Sequence, residues 1–155
     1  MRTAPTGCLS LLMFGLVLAL PFLLANAVLT ALTGYQIGRI ALQAPSTLFA
    51  LGAALVLNVG LCYSFATPVP QQGIAMQPLI PAGAAALSGL VLAPAWAPPV
   101  AFAAGVLGPL IGADLLHLGD IADIGTGMAS IGGAGTFDGV VLSGLVATLL
   151  VPGAL

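Results

Sequence analysis

Between Arg39 and Asp114 the chain runs for seventy-four residues, Ile40 to Ala113, without a single formal charge. Few folds tolerate that. A soluble domain carries about 25% charged residues to cover its surface, whereas here 4% of 155 residues are charged and 60% are hydrophobic. The surface is therefore expected to face lipid, and the length fits one integral-membrane domain, residues 1–155. With two basic residues in all, the chain cannot neutralise a phosphate track, so nucleic acid is excluded as a partner. The partners expected are the lipid bilayer and a membrane-embedded substrate or ion.

Turn residues divide the apolar sequence into spans. Leu9 to Leu32 is an uncharged run, "LSLLMFGLVLALPFLLANAVLTAL", and roughly 20 apolar residues cross a bilayer core of about 30 Å. Ala25-Asn26-Ala27 also resembles a signal-peptidase site, but the run continues past it, which favours a retained helix. Gly34 to Pro45 reads as a turn carrying Arg39, and Ser46 to Ala66 as the second span. Pro68 and Pro70 end that span in a headgroup-level loop. From Pro81, placed as a first helical residue, Pro94 limits the third element to about a dozen residues, roughly 18 Å. That is short of a crossing, so this element is a thin tilted span or a re-entrant half-helix. The fourth span is expected from about Val100 to Leu116 with a kink at Pro109, and the fifth from about Asp138 onward. The fold class expected is an all-α polytopic membrane bundle of about five transmembrane helices, or four plus a re-entrant segment.

Small residues indicate how such helices pack. Ala101, Gly105, Gly108 and Gly112 fall on one face of the fourth span, and Gly135, Gly139, Ser143 and Ala147 recur every fourth residue in the fifth. In lipid, stripes of this kind let backbones approach closely. Gly108 and Gly139 are expected at the contact between those two spans. Cys8 and Cys62, both in apolar runs, read as small hydrophobes.

All four carboxylates, Asp114, Asp120, Asp123 and Asp138, fall in the next stretch, and seven of the 21 residues from Gly119 to Gly139 are glycine. Residues 117–137 are expected to form a glycine-rich acidic loop between the last two spans; with that loop on one side, Asp114 and Asp138 come to similar depth. Carboxylates inside a membrane are costly, face the protein interior and mark function. Asp114 and Asp138 are thus the candidate catalytic residues. Glycine lets the backbone bend and approach a ligand, which makes Gly112, Ser130, Gly132, Gly133, Gly135 and Thr136 the candidate binding positions. Four readings stand. The two aspartates share a proton and act as acid and base; they form an oxygen site for a proton or cation in transit; Asp114, His117, Asp120 and Asp123 hold a metal; or Asp138 caps the last helix while Asp120 and Asp123 wet the loop. Successive steps of three walk around a helix, which weighs against the metal reading, and neither metal nor cofactor is expected. On a regular helix Asp114 lies about 200° from Gly112, so either the helix breaks near Gly112 or the carboxylate meets its partner from the other side.

The segments "GPLIGADLL" and "ASIGGAGTFDGVVLSGLVATLL" resemble the C-terminal half of a prokaryotic family of multipass membrane proteins of unknown function, over roughly Gly73 to Leu150. Asp114 and Asp138 stand at the motif positions of that pattern; His117 and Asp120 do not. The resemblance implies a prokaryotic inner-membrane protein and carries no activity. A looser likeness is to intramembrane aspartyl proteases, which place one aspartate on each of two adjacent helices, the second in Gly-x-Gly-Asp. Here Gly133-Ala134-Gly135 is followed by Thr136 and Phe137 before Asp138.

Overall fold

The computed structural model describes residues 27–69, 73–77, 79–119 and 139–153. Helix α1 covers residues 27–43 and runs straight through the expected turn at Gly34. A glycine costs a helix interior only about 1 kcal/mol relative to alanine. Against that, Leu29, Thr33 and Ile40 are buried and Ile37 packs on the core. The chain reverses only at residues 44–46, where the Thr47 amide donates to the Ala44 carbonyl at 2.8 Å.

Helix α2, Thr47–Phe65, is apolar around most of its circumference yet buries only Leu51, Ala54, Asn58 and Cys62. These recur at i, i+3, i+7 and i+11, a single stripe. Elsewhere Phe49 is 87% and Val56 72% exposed. Beyond α2 the expected loop is an antiparallel hairpin, β1 (Thr67–Val69) and β2 (Gly73–Ala75), with Thr67 opposite Ala75. Helix α3, Leu79–Leu92, starts two residues ahead of Pro81 and turns a small-residue face, Ala82, Ala85, Ala86 and Gly89, inward.

A 3-10 turn at Pro94–Trp96 leads into helix α4, Ala97–Pro109. It begins earlier than expected because Pro98 and Pro99 sit in its first turn, where no amide donor is needed. Val100, Ala101, Ala103 and Ala104 are all fully buried. With Phe102, Gly105 and Val106 buried as well, every side of the helix is covered, so α4 is the central helix, in contact with α2, α3 and the last helix, α5, Gly139–Leu149. Among the described residues two segments are long and apolar enough to cross a membrane, Thr47–Phe65 and Pro94–His117. Helices α3 and α5 are shorter.

The stripe on α4 is divided among three neighbours. A Cβ at Gly89 of α3 would meet Ala101. At Gly105 it would lie 3.0 Å from Ala147 Cβ and from the Ser143 carbonyl of α5. At Gly108 it would lie 2.8 Å from Asn58 Cγ, and at Gly112 2.8 Å from Cys62 Cβ, both on α2. The expected Gly108–Gly139 contact is therefore corrected: Gly108 faces α2, and a Cβ on Gly139 would meet nothing within 4 Å. The α4–α5 contact is made by Gly105 and Gly144 instead. Spacing identifies a face but not its partner, and a central helix shares one face among several neighbours.

Candidate functional site

The segment around Asp114 begins with Pro109. Lacking an amide hydrogen, it cannot bond the Gly105 carbonyl, and its ring crowds that turn. The helix widens at once into a π-helical turn, Leu110–Asp114, in which the Leu115 amide reaches back to the Leu110 and Ile111 carbonyls. It then tightens into a 3-10 turn, Leu115–His117. Of the two alternatives for Asp114, the helix does depart from α geometry at Gly112. π-Turns inside α-helices occur frequently at functional sites.

Gly112 and His117 of this segment meet Val59, Cys62 and Tyr63 at the end of α2. Gly112 is buried, with Val59, Cys62 and Tyr63 of α2 filling the space where a side chain would stand. His117 is 7% exposed, and its Nδ1–H donates to the Gly112 carbonyl at 3.1 Å. In the neutral ring this leaves Nε2 as the acceptor. The Tyr63 ring lies over the imidazole, with centroids 4.8 Å apart at 31°. Asp114, where the wide turn hands over to the tight one, is partly buried and engaged in a contact of its own. Cys62 is a free thiol inside the α2–α4 contact. Among the described residues no three His, Cys, Asp or Glu side chains converge as a metal cluster.

Of the other predicted site positions, Ser130, Gly132, Gly133, Gly135, Thr136 and Asp138 lie outside the described residues, as do Asp120, Asp123, Arg2, Cys8 and the expected loop beyond residue 119.

A further polar residue belongs to the α2–α4 contact. Asn58 is fully buried at the middle of α2; its Nδ2 donates to the Ala104 carbonyl of α4 at 2.7 Å, and its Oδ1 has no hydrogen-bond partner. On the far side of α4, Ser143 of α5 is also fully buried with an unpartnered hydroxyl. The signal for Asn58 was present: it is the one carboxamide in α2, and a polar side chain inside an apolar helix finds its partner on a neighbour.

Over residues 20–150 the chain matches a family described as proteins of unknown function, DUF1614, and it belongs to that family. The matched region takes in every described helix from α1 to α5, including the N-terminal half that the motif resemblance left out. No curated protein and no solved structure matches the chain.

Proposed function

We propose that the chain is a polytopic membrane protein whose working end carries a proton-handling pair, Asp114 and Asp138. The membrane reading is supported by the exposed apolar faces, Leu42 and Phe49 each being 87% exposed. Large apolar side chains on such a scale need a lipid solvent rather than water.

The pair reading is carried by the register of α4 against α5. Gly144 fits against Val106, and the two helices run antiparallel, since Val140 also clusters with Val106 while Ala147 meets Gly105. Six residues back along the sequence from Gly144 is Asp138, and six forward from Val106 is Gly112, inside the π-turn. Carried onward, this register supports the second acid at the level of the widened turn that ends in Asp114. Two carboxyl groups brought close do not both ionise, so one holds a proton and the other can accept one. The most concrete chemistry for such a pair is aspartyl-type hydrolysis in the membrane. The ionised carboxylate would take a proton from water as its oxygen attacks a peptide carbonyl, and the protonated carboxyl would donate to the carbonyl oxygen.

Passage of a proton or cation is the second reading, and Asn58 favours it. A buried amide oxygen without a partner is the type of hard ligand a cation or water in transit requires. The test is Asp114→Asn and Asp138→Asn in proteoliposomes, with cleavage of transmembrane peptides and pH- or cation-driven flux read side by side. The hydrolase reading predicts cleavage by the wild type, abolished in both variants. Flux without cleavage, lost in both variants, replaces it by passage. If the wild type shows neither activity, the pair does no proton chemistry and the protein is a scaffold.

A further inference from the structure

At the end of the bundle opposite Asp114, helices α1, α4 and α5 enclose an open cleft of about 740 Å³. Its polarity is graded. Along α1, Leu32, Gln36, Arg39 and Gln43 line it at i, i+4, i+7 and i+11, a single helical face extending for roughly 16 Å. Phe102 of α4 and the outward-facing Leu145 and Leu149 of α5 give it apolar walls, with Thr148 as the polar lining residue of α5. The mouth lies beside the residue 44–46 turn and the Pro94–Trp96 turn, and there Arg39 meets Trp96. The guanidinium carbon stands 5.7 Å from the Trp96 ring centroid and 6.0 Å from that of Tyr35. Cation–π contacts of this kind hold the group in place without neutralising it. Among the described residues Arg39 is the one formal cation, and no carboxylate pairs with it.

We infer that this cleft binds one anionic phospholipid, its phosphate on Arg39 and an acyl chain along Leu32, Phe102 and Leu145. Three features fit that occupant. A guanidinium presents a planar fork of donors that matches phosphate oxygens and stays charged at every accessible pH. Trp96 sits where aromatic side chains anchor at headgroup level. The apolar inner walls suit an acyl chain and leave a soluble anion nothing to fill them. The inference rests on the membrane reading above but not on the aspartate pair, since Asp114 stands at the other end of the bundle.

The experiment uses the full chain, first located by cell fractionation and then purified in detergent. Thermal stability is followed while phosphatidylglycerol, phosphatidylcholine with the same acyl chains, or inorganic phosphate is added. The expected result is a rise in Tm with phosphatidylglycerol alone. The apparent Kd for that lipid should weaken roughly five-fold or more in Arg39→Gln, as about 1 kcal/mol per basic group near an anionic headgroup implies. A second variant, Leu145→Trp, fills the apolar part while leaving Arg39 in place, and it should also lose the gain. Equal stabilisation by both lipids, the same effect from inorganic phosphate, or unchanged binding in both variants overturns the lipid site while the membrane reading stands. Recovery of the chain from the soluble fraction overturns both.

Discussion

Among the described residues two segments are long and apolar enough to cross a membrane, yet they have opposite surroundings. In Thr47–Phe65 about a fifth of the most apolar window is buried, 22%, whereas in Pro94–His117 the figure is 61%. What separates them is side-chain size. Helix α2 carries Phe49, Val56 and Leu57 on its exposed faces and keeps one stripe for its neighbours. Helix α4 is built from Ala101, Ala103, Ala104, Gly105 and Gly108, and three helices close on it at backbone distance. Where lipid tails and side chains are equally apolar, the hydrophobic effect gives no preference, and close packing of small residues selects which helix goes to the centre.

The strongest way to break this comparison is to add volume where α4 meets α2. Gly112→Leu drives a side chain into Cys62 and the Val59 backbone, and backbone cannot yield as a flexible side chain does. Overpacking costs about 1–3 kcal/mol and more where the main chain is in the way, so a Tm loss of roughly 6 °C or more is expected for a chain of this length. Differential scanning fluorimetry in detergent reads it. The matching change on α2, Gly52→Leu, enters open space and should fall within about 0.5 kcal/mol of wild type. Equal losses would show that the two helices do not differ as described.

Asn58 sharpens the comparison, because it is where the exposed helix reaches the central one. Asn58→Ala removes the bond to the Ala104 carbonyl. Buried interhelical hydrogen bonds in membranes average about 0.6 kcal/mol with a maximum near 1.7, so a loss of about 1 kcal/mol is expected. Chemical denaturation in mixed micelles would measure it, and a variant more stable than wild type would show that the Asn58 side chain does not join the two helices.

Much of this fold was legible from punctuation. Pro45 and Pro68 bracket α2, and Pro94 ends α3, because proline removes a donor wherever it stands. Pro109 announced the widened turn that carries Asp114. The course of α1 was less legible. Gly34 and Gly38 resemble turn residues, yet the burial of Thr33 and Ile40 holds the helix through them, and burial is a tertiary quantity that local composition does not carry. The small-residue stripes were visible, but their partners were not, since residue spacing contains no information about which neighbour arrives. Asn58 was visible only as an isolated polar residue; its meaning depends on Ala104, forty-six positions away. The site was half legible: Asp114 stands at a helix break, one of the two alternatives its angle to Gly112 leaves open, while its relation to Asp138 depends on residues outside those described.

That relation is the central claim, and disulfide trapping tests it most directly. In a background of Cys8→Ala and Cys62→Ala, the double variant Asp114→Cys/Asp138→Cys is oxidised in membranes and then probed with a maleimide, with Leu116→Cys/Asp138→Cys as the control pair. A disulfide forms readily only when Cα atoms come within about 4.4–6.8 Å. The 114/138 pair is expected to become refractory to maleimide in the monomer while the control pair stays labelled. Full labelling of both thiols at 114 and 138 after oxidation would contradict it, and the proton-handling pair would have to be abandoned.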